Sequence, residues 1–333
     1  MTGTTVSPEQ ILKELSELWV SLAKPGHLET GGGVLRACTM TLMVLAEMTD
    51  DAGALGQTMA TLMPEHPARA IMVRLQSGAE GDLSARVFSQ CWLPFGQRRQ
   101  ICCEQIEITA PDQAIPDLPA VLLPLAASDL PLIVWCRSAR LARMAEFSKI
   151  ARAARKVIFD SAQLGETPGD TMSALERVQD AVRNGVIVGD LAWTRLTRRR
   201  EMLAQVFENR QYLAQLPRVT EVRVEHAGGQ EISARYLGAW LSDALAAAGA
   251  HPALTIAAGE RLSVILTGGD LHLQQSCSDG TLTVTVDGLS QCTNLPRPTD
   301  YLLLREELGI LRRDPVFETA LATAARLAYP NGK

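Results

Sequence analysis

No stretch of this chain reaches the roughly 18 consecutive apolar residues that a membrane-spanning helix needs, so no membrane partner is expected. Histidine is scarce, and His27, His66, His226, His251 and His272 share no HxxxH or HxH spacing. The seven cysteines, at 38, 91, 102, 103, 136, 277 and 292, form no CxxC pair, and adjacent Cys102 and Cys103 cannot comfortably chelate one ion. Zinc sites and histidine-centred triads are therefore poorly supported, and the cysteines read as buried reduced thiols. GxSxG, a Walker loop and a strand-borne GxGxxG are all missing. An enzyme of this size normally shows a nucleophile with its base, a metal cluster, a carboxylate pair or a phosphate loop. Their absence weakens an enzyme reading without excluding one, and no metal or organic cofactor is expected. Positive charge is not in excess either: 32 Lys and Arg stand against 37 Asp and Glu, a net charge of −5. Whole-molecule electrostatics then gives no attraction to nucleic acid, which is not expected as a partner. The first ten residues are polar and lack a hydrophobic signal core, which points to the cytoplasm.

What is present is an ordinary globular balance, 47% hydrophobic and 21% charged over 333 residues, enough for two domains with full cores. Ser7 reads as an N-cap with Pro8 at the first helical position, and Ile11, Leu15, Leu18, Trp19 and Leu22 form one face up to Lys24-Pro25-Gly26. Gly31-Gly32-Gly33 precede an apolar run instead of following a strand, so they read as a loop and not a phosphate cradle. Strands are predicted over 36–46 and 70–75, with a helix over 55–63 between them. Residues 83–93 and 100–110 alternate as half-buried strands, with turns at Gly78, Gly81, Pro94 and Gly96. A helix over 118–127, a strand over 132–136, a helix over 141–155 and a strand over 156–160 argue parallel βαβ units. Asp160 then lies at a strand's carboxyl end, where open α/β sheets bind ligands, and with His66 it marks a candidate site for the alternative reading below.

The best linker is 163–170, so the expectation is an α/β domain with a mostly parallel sheet over 1–168 and a smaller α+β domain over 169–333. The second domain should carry a helix over 171–184 ending at Asn184-Gly185, a strand over 219–224 and a helix over 233–248. Three antiparallel strands follow over 262–267, 271–276 and 281–287, turned by Gly268-Gly269-Asp270 and Ser278-Asp279-Gly280, before closing helices over 301–312 and 314–326.

The densest cationic and aromatic patch runs from Asp190 through Trp193, Arg195, Arg198, Arg199 and Arg200. As one helix to Asn209 it puts Leu196, Leu203 and Phe207 on one face and Arg195 and Arg198 on the other, with Asp190 as cap. Trp193 fits the core or an interface equally well.

Four blocks resemble the OpcA family of glucose-6-phosphate dehydrogenase assembly or activator proteins. They are residues 36–44; His66-Pro67-Ala68-Arg69 to Ile71; residues 123–135, holding Asp129 and Trp135, with Val157 to Asp160-Ser161; and Asp190-Leu191-Ala192-Trp193-Thr194-Arg195-Leu196-Thr197 with Arg200. The last block is the specific one. The resemblance implies a non-catalytic protein that binds glucose-6-phosphate dehydrogenase and favours its active oligomer. It marks Asp190, Trp193, Thr194, Arg195, Thr197 and Arg200 as motif or partner-binding residues, and His66, Pro67, Arg69, Asp129, Trp135, Asp160 and Ser161 as a secondary set. Arg198 and Arg199 stand where the family pattern has apolar residues such as Pro-Trp, and Cys136 stands where a second tryptophan is common. The alternative reading is an α/β enzyme or a nucleotide or sugar-phosphate binder with a site near Asp160 and His66.

Overall fold

The structure, a computed structural model, describes residues 6–22, 34–93, 100–165 and 170–327. The expected helix stop at Lys24-Pro25-Gly26, the Gly31-Gly32-Gly33 loop, the Pro94 and Gly96 turn and the 168/169 domain boundary lie outside the described residues. Contacts divide the chain into one unit of residues 1–159 and 186–188 and a second of 160–185 and 189–333.

In the first unit, α1 (Pro8–Leu22) starts as its sequence dictates, with Gln10 N donating to Ser7 Oγ at 3.3 Å, and it buries Ile11 and Leu15. Where one strand is expected over 36–46 the chain makes two, β1 (Val34–Arg36) and β2 (Met40–Glu47). They separate because β1 pairs with β5 (Gln100–Pro111) while β2 pairs with β3 (Ala68–Gln76). Between β2 and β3 lies α2 (Ala52–Leu62), and β4 (Ser84–Trp92) runs antiparallel to β5. After α3 (Leu118–Leu125) come β6 (Leu132–Cys136), α4 (Ala145–Ala153) and β7 (Lys156–Phe159). The helix expected over 141–155 is a 3₁₀ turn, Leu141–Arg143, followed by α4. The helix α5 (Thr171–Arg183) belongs to the second unit and leads to β8 (Val188–Asp190).

The strand order is β1-β5-β3-β2-β6-β7-β8, with β4 beside β5. The pairs β5·β3, β3·β2, β2·β6 and β6·β7 are parallel. The main six strands thus lie third-second-first-fourth-fifth-sixth, the doubly wound order, with its switch point between β2 and β6. Those two strands are covered on both faces, which is why they read as apolar runs without alternation. Cys91 and Cys102 face one another in the β4·β5 register and form a disulfide, so the expectation of uniformly reduced thiols fails for this pair. Both sit on alternating strands, and only the register, invisible in one sequence, brings them together.

The second unit is an α+β fold. After β8 come short α6 (Leu191–Thr194), α7 (Thr197–Val206) and α8 (Arg210–Leu213). A six-stranded sheet follows from β9 (Glu221–His226), β10 (Ala253–Ala258), β11 (Ser263–Gly268), β12 (Leu271–Ser278), β13 (Thr281–Val286) and β14 (Leu289–Asn294). Its order is β10-β9-β11-β12-β13-β14, antiparallel except for β10·β9, which α9 (Glu231–Ala247) joins as a parallel crossover. Gly268 has φ 155°, and a Cβ there would meet Arg218 O at 2.2 Å, so the β11–β12 turn requires glycine. Asp279 and Gly280, and again Asp287 and Gly288, all have positive φ, as two-residue hairpin turns demand. Two closing helices, α10 (Asp300–Gly309) and α11 (Pro315–Leu327), complete the unit. Among the described residues, no helix is long and apolar enough to cross a membrane.

Candidate functional site

The Asp190 block is not one helix. Asp190 ends β8 and caps α6 by accepting from Ala192 N at 2.9 Å, and the helix breaks at Arg195 and Leu196 before α7 starts. Thr194 Oγ1 lies 2.9 Å from Asp190 O and 2.5 Å from the buried Glu307 carboxylate, so this side chain fastens the short helix at both ends.

Asp190 is fully buried. Its Oδ1 also accepts from Ser161 N at 3.0 Å, and its Oδ2 accepts from Tyr236 Oη at 2.6 Å. Burial pushes the carboxyl up to about 6, against the opposing pull of these donors. Asp160, 1% exposed, takes a bidentate pair from Arg195, Nη1 and Nη2 each at 2.7 Å. The planar guanidinium fork matches both carboxylate oxygens, which is the strongest arrangement of this pair.

Trp193 is core: 3% exposed, with ring centroids 5.8 Å from Tyr236 and 5.9 Å from Phe317. Arg200 stacks on its ring at 3.6 Å from the centroid, and its Nη2 reaches Thr197 Oγ1 at 3.3 Å. Burial lowers the Arg200 pKa from its ordinary value, with Asp314 and Glu306 pulling the other way. Thr197 in turn donates to Glu306 at 2.8 Å. Of the two arginines peculiar to this chain, Arg198 is exposed and pairs with Glu201, while Arg199 is buried and donates to Leu262 O at 3.3 Å. The structure therefore gathers Asp160, Ser161, Asp190, Trp193, Thr194, Arg195, Thr197 and Arg200 into one network within the second unit. Its members Tyr236 and Glu307 carry no local signal in the sequence.

The remaining motif residues belong to the first unit. Arg69 is buried, donating Nε to Glu104 at 2.6 Å and Nη1 to Leu125 O at 2.8 Å. Trp19 Nε1 reaches the same Glu104 at 2.6 Å, and Arg36 pairs with it as well. Pro67 O accepts from Thr39 N at 2.8 Å, His66 is half-buried in the turn before β3, and Asp129 is exposed beside Ser128. Trp135 is wholly buried in β6, with Arg137 over its ring at 4.9 Å. His66 precedes the amino end of β3, whereas Asp160 follows the carboxyl end of β7. Because β3, β2, β6 and β7 are all parallel, these positions lie toward opposite ends of the strands.

The doubly wound order points to a different place, the carboxyl ends of β2 and β6. In dinucleotide-binding sheets a glycine-rich loop and a free helix N-terminus there cradle a pyrophosphate. Here Asp51 caps α2, accepting from Gly53 N at 2.8 Å and Ala54 N at 3.1 Å. Around it, Arg137 Nη2 reaches Asp50 at 3.0 Å, Arg140 pairs with both Glu47 and Asp112, and Ser138 donates to Glu47. From β3, Arg74 Nη2 donates to Met48 O and Asp50 O, each at 2.9 Å. The chain's own carboxylates thus take the donors that a phosphate would use. Sequence reasoning missed this lattice, although the acid-rich Glu47-Met48-Thr49-Asp50-Asp51, standing in place of glycines, was its available signal.

Residues 60–180 match the OpcA family's N-terminal domain, and residues 187–321 match its C-terminal domain, both described as domains of a glucose-6-phosphate dehydrogenase subunit. Together these two matches take in more than half of the sequence. The chain belongs to the OpcA family. A Nostoc punctiforme protein named OpcA and assigned to the OxPP cycle is 25% identical over 183 residues, 54% of this chain and 38% of the relative. Its Synechocystis counterpart is 23% identical over 189 residues, 56% of this chain and 38% of the relative. The matched stretch thus spans less than half the length of these OpcA relatives. Among solved structures, biliverdin reductase from Synechocystis has a TM-score of 0.44 at 11% identity, covering 86% of this chain and 98% of that one. The WlbA dehydrogenase from Thermus thermophilus has a TM-score of 0.42 at 12% identity, covering 88% and 96%. Those two likenesses are too slight to extend to ligand or activity.

Proposed function

We propose that this OpcA-family chain is a non-catalytic assembly factor and allosteric activator of glucose-6-phosphate dehydrogenase, acting by direct binding in the oxidative pentose phosphate pathway of a bacterial cytoplasm. The observation that carries the reading is the match of both halves to domains described for a glucose-6-phosphate dehydrogenase subunit. The switch point supports it, since Glu47 and Asp50 there already engage Arg140 and Arg137, and Asp51 caps the N-terminus of α2. An activator of this kind works by preferring the enzyme's active oligomer, and it shifts the population only by its differential affinity for the two states. The buried Asp190–Tyr236 and Asp160–Arg195 pairs then act structurally, tying α6 and the turn after it to α9 and to Asp160.

The test mixes purified chain with the glucose-6-phosphate dehydrogenase of the same host and follows oligomer size by light scattering and KM by steady-state assay. A complex at micromolar concentration with a larger active oligomer and a lower KM is the expected result. Absence of both complex and kinetic change overturns the reading.

A further inference from the structure

A cavity of about 370 Å³ lies within the first unit, between α2 and the sheet at β3, β5 and β4. The strand register sets its floor as two rows. Ala70, Gln105 and Phe88 form one row, and Met72, Glu107 and Arg86 form the other. From Ala68 to Leu75, every residue of β3 is buried except Met72. Phe88 on β4 is 41% exposed. Two large apolar side chains are therefore bared on the same floor.

The wall opposite them is a stretch of helix almost without side chains. Gly53 and Gly56 line the cavity from α2, with Met59 one turn beyond. Gly53 has a local reason, since a Cβ there would come to 3.2 Å from the Asp51 carboxylate oxygen that caps the helix. Gly56 has none. It sits inside the helix without a positive φ, and a Cβ would meet nothing within 4 Å. Glycine at such a position weakens a helix relative to alanine, and no described part of the chain requires it. What it does permit is the close approach of another molecule to the backbone.

The polar groups of the floor satisfy one another. Arg86 Nη2 pairs with Glu107 at 2.6 Å, and Gln105 Nε2 donates to Gln90 Oε1 at 2.5 Å. An ionic ligand would have to break these pairs, and Glu107 with the Asp51 cap beside Ala52 would repel a phosphate. The volume is that of a small-molecule site, and methionine with phenylalanine makes an adaptable lining that favours aromatic rings. We propose that this cavity binds a small uncharged aromatic compound, of the size of indole or naphthalene, lying between the Gly56 backbone and the side chains of Met72 and Phe88. The site is separate from the proposed contact with the dehydrogenase and does not rest on it.

Fluorescence titration of the full chain with N-phenyl-1-naphthylamine, an uncharged probe that brightens out of water, tests the assignment. The expected result is a saturable rise with one molecule bound per chain, reversed by indole. Gly56→Leu fills the space and should weaken binding by about tenfold or more. The same variant should keep a urea midpoint at or above that of wild type, because leucine is the better helix former. Phe88→Ala removes the exposed ring and should weaken binding severalfold with an unchanged circular dichroism spectrum. An unsaturable rise, a probe that indole does not displace, or binding unchanged in both variants overturns the proposal. So does a Gly56→Leu chain that unfolds earlier than wild type, since the fold itself would then require the glycine.

Discussion

Tyr236 donates its hydroxyl to Asp190 Oδ2 at 2.6 Å, and neither side chain reaches solvent. The two are 46 residues apart, so the bond ties α9 to the turn where β8 passes into α6. Tyr236→Phe removes one donor and keeps the ring that packs on Trp193 and Phe317. An unsatisfied buried acceptor costs about 1–3 kcal/mol, and the charged carboxylate places this variant toward the upper end. Urea unfolding should show the loss as a lower midpoint at unchanged slope.

Asp190 also makes stability depend on pH, in the direction opposite to an ordinary paired carboxylate. Its folded pKa, about 6, lies above the ordinary 3.8 because burial penalises the charge. The folded state therefore holds the proton more tightly than the unfolded state. The contribution is fully present below pH 4, declines as pH rises through 6 and is flat above that. A shift of this size corresponds to about 3 kcal/mol as an order of magnitude. Asp190→Asn can still accept from Ser161 N and Ala192 N but cannot ionise. The difference in unfolding free energy between wild type and this variant should fall between pH 4 and 6, and a difference that stays constant would show that Asp190 does not titrate there.

Much of the fold is legible where local chemistry decides it. The apolar runs of β6 and β7, the Ser7-Pro8 helix start and the Asp190 cap all follow from neighbours in sequence. Three strands, β8, β10 and β14, escape the pattern. The segment Leu289–Asn294 has no apolar alternation because it lies at the sheet edge with nearly every side chain exposed, and its only signal is the Asp287-Gly288 turn. The break at Arg195 is equally hidden, since Thr194 is fixed partly by Glu307, 113 residues away. Arg137 with Asp50 and Arg140 with Glu47 are similar cases, separated by 87 and 93 residues. Periodicity describes one element at a time and cannot pair charges across a sheet.

Removing Arg195 should be the most damaging single change in the network. Asp160 is 1% exposed, and its bidentate partner is the charge that compensates its burial. Breaking a buried pair from one side costs about 3–5 kcal/mol, and the partial exposure of Arg195 puts the expectation near the lower figure. Arg195→Lys restores charge without the fork and should recover less than half of the loss. Thermal unfolding of wild type, Arg195→Ala and Arg195→Lys gives the ranking, and equal midpoints for all three would show the pair to be energetically idle.

Arg137 and Arg140 bear on nucleotide chemistry. With Asp50, Glu47 and Asp112 already engaged and Asp51 on the α2 terminus, neither NAD nor NADP should find a phosphate cradle. The melting midpoint should be unmoved by either nucleotide up to about 1 mM, since a true ligand raises it progressively above its Kd. A rise that grows with concentration would require the lattice to open.

Arg200 separates packing from recognition most directly. Its guanidinium lies 3.6 Å from the Trp193 ring centroid, a desolvated cation–π contact of about 1–2 kcal/mol. Arg200→Ala should lose roughly that much stability and remain folded at 25 °C, where its affinity for glucose-6-phosphate dehydrogenase can be measured by titration. If Arg200 only supports Trp193, affinity stays within about twofold of wild type, because a folded variant presents the same surface. If its charged edge also meets the enzyme, affinity drops tenfold or more while the folded fraction is unchanged. Arg200→Lys adds a control, keeping the positive charge while losing the planar stack. Recovery of affinity without recovery of stability would assign the charge to the partner and the stack to the fold.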